Sequence, residues 1–320
     1  MSQCVVAQPS SSPRTRAFGW LTSVIVGSVA AFSLVYWFTV NTVAGRQLAD
    51  VAIRGATSVG SSAAGLVNRT LDVVTGSALI AAIALIAVVA LIRMRRVHGL
   101  VAIGVLVAAN ASGRLLKAYV LPRSDLGLKE SAPATLNSLP SGHTTAAFSI
   151  GVALLFVVPP ALRSITASTG IVFSSAVAVA TLSAGWHRVG DSLASFFLVT
   201  AWAGLAGIVV LLAEHDFSPA DRHDRGRLRT GRWWTAAAVG LGLITATLLA
   251  VLLADPDVRT SALGPPLAFI TGGLLIVGVA AGTTVVVLRV VARVTDDSVD
   301  TVAEGSRLTR TAVPPPAAAD

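Results

Sequence analysis

Cysteine and charged residues are both scarce in this chain of 320 residues. Cys4 is the single cysteine, which excludes an intrachain disulfide and a thiolate metal site. Charged residues make up 12% of the chain and hydrophobic residues 54%, and the mean hydropathy is +0.76. These proportions lie outside the range of soluble domains and indicate a polytopic membrane protein.

Acidic residues are also few, with 16 of them against 24 lysines and arginines, which gives a net charge of +8. A basic balance can indicate nucleic-acid binding, but here the arginines collect at the ends of apolar runs, as orientation in a membrane requires. We therefore expect membrane lipids as partners and no nucleic acid. The segments expected outside the membrane carry no acidic cluster that suggests Mg²⁺, so we expect neither a metal nor a cofactor.

Eight apolar runs are candidates for membrane-spanning helices. A bilayer core of about 30 Å takes roughly 20 apolar residues per helix, and a helix satisfies its own backbone hydrogen bonds in lipid. The runs cover residues 18–40, 77–92, 99–116, 143–158, 167–186, 192–213, 234–254 and 267–288. The sequence thus predicts an all-α integral membrane protein with eight spans. The polar, lightly charged stretch 41–75 is expected to be a loop with some helix at the interface.

The positions of the arginines predict the orientation in the cell membrane. Basic residues flank the runs on the side of the N-terminus: Arg14, Arg16, Arg93, Arg95, Arg96, Arg163, the arginines within 222–232, Arg289 and Arg293. By the positive-inside rule both termini are cytoplasmic, and loops 117–142 and 187–191 face outside. The predicted parts are a tail (1–16), a six-span core (17–214), a basic cytoplasmic linker (215–232), two further spans (233–290) and a disordered cytoplasmic tail (291–320).

Three groups of polar residues fall on the predicted outer side. Arg114, Lys117 and Arg123 lie at and beyond the end of the third run. Charged residues beside a span suggest function, although long basic side chains at a helix end also simply reach the headgroups. Taken alone, this first group favours the second explanation.

The second group is the stretch Pro140-Ser141-Gly142-His143, which precedes the fourth run. Ser141 is a candidate N-cap, and the N–H groups and positive dipole end of the following helix form a potential anion site. Gly142 would let an oxyanion approach the backbone, and His143 could supply a proton. An ordinary capped helix start with an interfacial histidine is the alternative.

The third group is His187 and Asp191, at an i, i+4 spacing that brings two side chains to one face of a helix. A carboxylate that holds one imidazole N–H leaves the other nitrogen with an exposed lone pair, as a nucleophilic histidine requires. A helix-end ion pair is the alternative. Together the three groups would suit a phosphate ester held at the membrane surface and cleaved through histidine without a metal, since phosphoryl transfer depends mostly on positioning and charge.

These residues resemble the motifs of the type-2 phosphatidic acid phosphatase superfamily. The family motifs are Lys, six residues, Arg-Pro; then Pro-Ser-Gly-His; then Ser-Arg, five residues, His, three residues, Asp. Pro140-Ser141-Gly142-His143 matches the second motif in full, and His187 with Asp191 matches the end of the third. The resemblance covers about residues 17–214 and implies a six-span phosphatase-like core, to which this chain adds two C-terminal spans.

The resemblance implies that His187 attacks phosphorus and forms a phosphohistidine, that Asp191 orients it, and that His143 protonates the leaving group. Lys117, Arg123, Ser141 and the Gly142 N–H would hold the phosphoryl oxygens. Two departures stand out. Arg123 comes one residue early and is not followed by proline, and the Ser-Arg of the third motif aligns with Ala180-Thr181. Arg188 and Arg114 are the candidates to replace the missing arginine.

The resemblance therefore implies a phosphatase for lipid phosphates or pyrophosphates at the outer face, of the polyprenyl pyrophosphate, phosphatidic acid or phosphatidylglycerophosphate type. The missing arginine keeps a second hypothesis open, a non-catalytic protein that binds or moves anionic lipids through the same pocket. A vanadate-dependent haloperoxidase, the activity of soluble family members, is a more distant alternative.

Overall fold

The computed structural model describes residues 13–72, 76–128, 137–213 and 228–294. Within these ranges all regular structure is helical. The helices are α1 (Pro13–Asn41), α2 (Val43–Asp72), α3 (Gly76–Ile92), α4 (Arg96–Leu115) with a π-helical turn (Leu116–Val120), α5 (Gly142–Val157), α6 (Pro160–Ser183), α7 (Val189–Ala213), α8 (Leu228–Ala254), α9 (Pro256–Thr260) and α10 (Gly264–Val294). Most of the predicted N-terminal tail, basic linker and C-terminal tail lies outside the described residues.

Six segments of the described chain are long and apolar enough to cross a membrane. They are Arg14–Asn41, Arg96–Val120, Pro160–Ser183, Val189–Ala213, Arg232–Ala254 and Gly264–Val294. α3 and α5 are also apolar but have only 17 and 16 residues. The prediction of an all-α, multi-pass membrane protein is confirmed. The total of eight spans, including the crossing of the membrane by α8 and α10, stays a prediction.

The stretch 41–75 was expected to be mainly a loop, and this expectation is wrong. α2 is a helix of 30 residues, Val43–Asp72. Its buried apolar residues Ala49, Ala52, Ile53 and Ala56 follow the i, i+3, i+4, i+7 spacing of one helix face. That face packs against α10 and α6. The small size of these residues lowers the apolar content of the stretch but also lets the helices approach closely.

The core of the bundle lies around α7, which packs against α1, α4, α5 and α10. Phe148 of α5 and Phe196 of α7 are fully buried, with ring centroids 5.0 Å apart and nearly perpendicular planes. Such edge-to-face pairs add to the stabilisation from burial alone. Ile276 and Val287 of α10 belong to the same hydrophobic cluster, so the last long helix completes the core that surrounds α7.

Contacts between helix ends define two opposite ends of the bundle. At one end, Arg14 of α1 donates to the carbonyl of Leu211 in α7, and Arg293 of α10 lies over the ring of Trp20. At the other end, Thr39 lies within 3 Å of the position that a Cβ on Gly190 would occupy. The second end also carries the turn before α5 and the turn between α6 and α7, since the N–H of Ser141 donates to the carbonyl of Asp191.

Candidate functional site

The start of α5 is a capped turn. A cis peptide bond joins Leu139 to Pro140, and Ser141 is the N-cap, as the sequence predicted. The Ser141 hydroxyl accepts hydrogen bonds from the N–H of Thr144, at 3.4 Å, and from its hydroxyl, at 3.1 Å. Ser141 is fully buried, whereas Gly142 is exposed. A Cβ added to Gly142 would meet no atom within 4 Å, so the first backbone unit of α5 borders open space.

Hydrogen bonds join the start of α5 to the first turns of α7. The N–H of Ser141 donates to the carbonyl of Asp191 at 3.0 Å. The Ser195 hydroxyl lies 2.9 Å from the carbonyls of both Ser141 and Asp191. One turn further in, the hydroxyls of Thr144 and Ser192 are 3.2 Å apart. All of these groups are buried, so they hold the second and third motifs in a fixed relation.

His187 and Asp191 are in contact, as their spacing predicted. The His187 Nδ1 lies 3.2 Å from Oδ2 of Asp191. His187 lies in the turn before α7, so the pair is formed by a turn and the first turn of a helix, not within one helix. Oδ2 also accepts from the Ser138 hydroxyl at 2.5 Å and from the Arg188 N–H at 2.9 Å. These donors fix the buried carboxylate, which leaves the His187 Nε2 as the nitrogen directed away from Asp191.

The end of α6 positions His187 through its backbone. Gly185 has a φ of +69°, the left-handed conformation that commonly ends a helix. The N–H groups of Trp186 and His187 then both donate to the carbonyl of Thr181, at 3.0 and 3.2 Å. The Thr181 side chain, at the position of the family arginine, is fully buried and donates to the Ala178 carbonyl of its own helix. Thr181 therefore supplies no charge.

His143 faces the third motif. Its ring centroid lies 6.4 Å from that of His187 and 5.7 Å from that of Trp186. Lys117 is close enough for its charge to act on His143 and to interact with Asp191. The structure therefore brings one residue from each of the three motif regions together at one end of the bundle.

A cavity of about 240 Å³ opens beside His143. Arg114, in the last turn of α4, and Lys117, in the π-helical turn that follows, contribute its basic groups. Gly142 and His143 line the side formed by α5, and Leu79 belongs to α3. The cavity thus combines cationic side chains, a helix N-terminus and an apolar wall, a combination suited to an anion attached to an apolar group.

The remaining predicted site residues lie elsewhere. Ser141 is buried beneath the cavity wall and is engaged in the cap. Arg123 lies in the loop after the π-helical turn and is not among the residues that line the cavity. Arg188 is 4% exposed, and its Nη1 donates to the Ser138 hydroxyl at 3.3 Å. His187 does not line the cavity either and adjoins it through His143.

Two residues near the site were not predicted. Ser138 bonds both Asp191 and Arg188 and so links the loop before α5 to the third motif. Trp186 is 52% exposed and covers one side of His143. Trp186 directly precedes His187, so its closeness to the site could have been inferred from the sequence. Ser138 carries no comparable signal, because a serine in a loop is common.

Residues 99–213 match the PAP2 superfamily, and this match contains every predicted site residue. This match agrees with the resemblance to the type-2 phosphatidic acid phosphatase superfamily that the motif residues carry. No curated protein and no solved structure matches the chain. The matched region corresponds to α4–α7, and α1, α2, α3, α8, α9 and α10 lie outside it.

Proposed function

We propose that this protein is a cell-membrane phosphatase that hydrolyses a lipid phosphate or pyrophosphate at the extracytoplasmic face, through a phosphohistidine and without a metal ion. The candidate substrates are polyprenyl pyrophosphates, phosphatidic acid and phosphatidylglycerophosphate. The match to the PAP2 superfamily and the apolar helices support a membrane phosphatase for lipid phosphates. The substrate, the face and the mechanism are the proposal.

The observation that carries the proposal is the His187–Asp191 pair opposite His143. Asp191 engages Nδ1 of His187 at 3.2 Å, which favours the tautomer with its lone pair on Nε2. His143 faces this ring with a centroid distance of 6.4 Å. A phosphoryl group near both rings would have an attacking nitrogen on one side and a proton donor on the other.

The reaction takes place in two steps. His187 Nε2 attacks phosphorus and forms an N–P bond, while the bond from phosphorus to the leaving oxygen breaks and protonated His143 gives that oxygen its proton. Neutral His143 then takes a proton from a water molecule, whose oxygen attacks the phosphohistidine. The N–P bond breaks, orthophosphate leaves, and His187 and His143 return to their starting states.

Arg114, Lys117 and the Gly142 N–H hold the phosphoryl oxygens in this proposal. The family motif has an arginine at the position of Thr181. Arg114 takes over its role in this proposal, because Arg114 lines the same cavity as Lys117 and His143. A guanidinium suits this role, since its fork of N–H groups matches phosphate oxygens. Arg123 and Arg188 do not line this cavity, so the proposal gives them no contact with the phosphate there.

Lipid-linked substrates are favoured because the cavity continues from its basic groups to apolar wall. Leu79 of α3 and Ala146 of α5 form apolar parts of its lining. A lipid could keep its chain among these helices while its phosphate reaches Lys117. Soluble esters would gain nothing from this wall, so we expect a lower kcat/KM for them.

The direct test is release of orthophosphate by the purified protein from the three lipid classes, with EDTA present. His187→Ala should reduce kcat by at least about 10⁴-fold, by analogy with the removal of other catalytic nucleophiles. The variant must elute and melt like the parent protein. Full activity in folded His187→Ala would exclude the histidine mechanism, and activity that EDTA abolishes would exclude the metal-free reaction.

The second candidate function is non-catalytic binding or movement of anionic lipids. Its support is the uncharged, buried Thr181 at the family arginine position. Binding of lipid phosphates with no release of orthophosphate from any of them would favour this function over hydrolysis.

A further inference from the structure

A second cavity lies at the same end of the bundle and shares no lining residue with the first. Its volume is about 380 Å³, larger than the 240 Å³ beside His143. The lining comes from α2, from the loop after the π-helical turn and from α9: Arg46, Gln47, Asp50, Val51, Arg54, Leu128, Pro256, Arg259 and Thr260. α2 and α9 lie outside the region that matches the superfamily, so the family motifs do not account for this cavity.

Basic side chains outnumber acidic ones in the described lining of this cavity. It contains three guanidinium groups, from Arg46, Arg54 and Arg259, and a single carboxylate, that of Asp50. Oδ2 of Asp50 lies 3.4 Å from Nε of Arg54, one helical turn further along α2. This contact orients Arg54 and balances one of the three positive charges. The charge of the lining therefore favours an anionic ligand.

Arg46 forms a fixed part of the wall. Although it is an arginine, it is only 5% exposed. Its Nε donates to the carbonyl of Val40 at 2.7 Å, at the end of α1, and its Nη2 donates to the carbonyl of Ser124. Burial of a charged group is costly unless it is hydrogen-bonded, and these carbonyls provide such bonds. The guanidinium group is thereby held in one position before any ligand arrives.

The chemistry of the lining selects the ligand. Guanidinium groups on two separate elements, α2 and α9, can contact different oxygens of one anion, as the tetrahedral phosphate group allows. Gln47 and Thr260 add neutral hydrogen-bonding groups. We propose that this cavity is a second anion site that binds a phosphate group, carried by a lipid headgroup or free in solution. The proposal does not rest on the phosphatase activity, since none of the catalytic residues takes part.

The test is protection of individual arginines from an arginine-selective dicarbonyl reagent, followed by peptide mass spectrometry. The full chain carrying His187→Ala is placed in phosphatidylcholine nanodiscs, with and without inorganic phosphate, and in nanodiscs that contain phosphatidic acid. We expect Arg54 and Arg259 to react at least about fivefold more slowly with ligand, because each contact shields a guanidinium. Arg69, exposed on the same helix, should react at an unchanged rate.

The two arms distinguish the sources of phosphate. Protection by inorganic phosphate in phosphatidylcholine identifies a site for the free anion, and protection only by phosphatidic acid identifies a headgroup site. Arg54→Gln should raise the ligand concentration for half-protection of Arg259 about tenfold, whereas Arg69→Gln should leave it within twofold. Absence of protection in both arms, or an unchanged midpoint in folded Arg54→Gln, overturns the proposal.

Discussion

Arg114 is the residue on which the charge of the proposed site depends most, because Thr181 leaves the family position without a cation. We predict that Arg114→Gln lowers kcat/KM by about 10²- to 10³-fold, the loss seen when one charged or polar contact to a developing oxyanion is removed. The value of kcat/KM is measured from the release of orthophosphate from the preferred lipid. Arg114 is exposed, so folding should be unaffected.

The matched control for Arg114 is Arg96→Gln. Arg96 is also exposed and lies at the opposite end of α4. Its substitution should change kcat/KM by less than about twofold, since surface charges far from a site have small effects. Equal losses in the two variants would show that Arg114 acts through the general charge of the protein and not at the phosphate.

Substitution of Gly142 tests whether the N-terminus of α5 binds the phosphate group. Gly142→Ala should fold normally, because the added Cβ would meet no atom within 4 Å and the backbone has no positive φ at this position. The methyl group would occupy the space in which an oxyanion approaches the N–H. We predict a loss of about 10- to 100-fold in kcat/KM from misplacement of the phosphate.

Gly104→Ala on α4 is the control for this change, because a Cβ there also meets no atom within 4 Å. Both variants should melt at or above the temperature of the parent protein, since alanine is the better helix former. Unchanged kinetics of Gly142→Ala would argue against phosphate binding at the start of α5.

For single residues, the sequence predicted hydrogen-bond contacts correctly but did not predict which residues line the cavity. His187 with Asp191 and the N-cap at Ser141 both have the predicted contacts. Both contacts join residues only three or four positions apart, so the turn and the first helical turn that contain them are enough to bring the groups together. Burial of Ser141 and the position of Arg123 outside the cavity depend on how α5 packs on α7 and how a loop folds, which spacing alone does not determine.

α10 connects the C-terminal part of the chain with the site. Gly272 lies where α10 meets the start of α7, and a Cβ added there would lie 2.6 Å from Cγ2 of Val189, two residues after His187. We predict that Gly272→Ala destabilises the protein by about 1–3 kcal/mol, the usual cost of overpacking. Phosphatase activity should fall as well, because Val189 begins the helix that carries Asp191.

Gly273 is the matched control, since a Cβ at this neighbouring position would meet no atom within 4 Å. Gly273→Ala should be neutral or slightly stabilising. Thermal melting in detergent and phosphate release measure both effects. If the two variants behave alike, the contact between α10 and α7 is not a support of the site.

The long helices could be predicted from apolar runs, but α2 and the packing of α10 could not. Span prediction relies on the mean apolar content of a window, and α2 has many small and polar residues. Its signal was the helical spacing of Ala49, Ala52, Ile53 and Ala56. The partner of a helix in lipid is set by small residues at close approach, such as Gly272, and a single sequence does not reveal which faces meet.

The catalytic candidates and the second cavity lie at one end of the helix bundle. Most of the arginines that predict the orientation lie at the opposite end. His143, His187 and the cavity of α2 and α9 share the end that carries the start of α5. Arg14 and Arg293 make their contacts at the opposite end. The arginine pattern therefore predicts which end faces outside, and that prediction also places both cavities on one face of the membrane.

Orientation can be tested with single cysteines in a Cys4→Ser chain, which has no other thiol. Asp257 in α9 and Met94 in the turn between α3 and α4 are exposed and belong to opposite ends. We predict that an impermeant maleimide labels Asp257→Cys in intact cells, whereas Met94→Cys reacts only after permeabilisation, because the arginines beside Met94 hold that end in the cytoplasm. The opposite pattern would reverse the topology. Labelling of both positions only after permeabilisation would mean that α8 and α10 do not carry α9 across the membrane, and the second cavity could not then face outside.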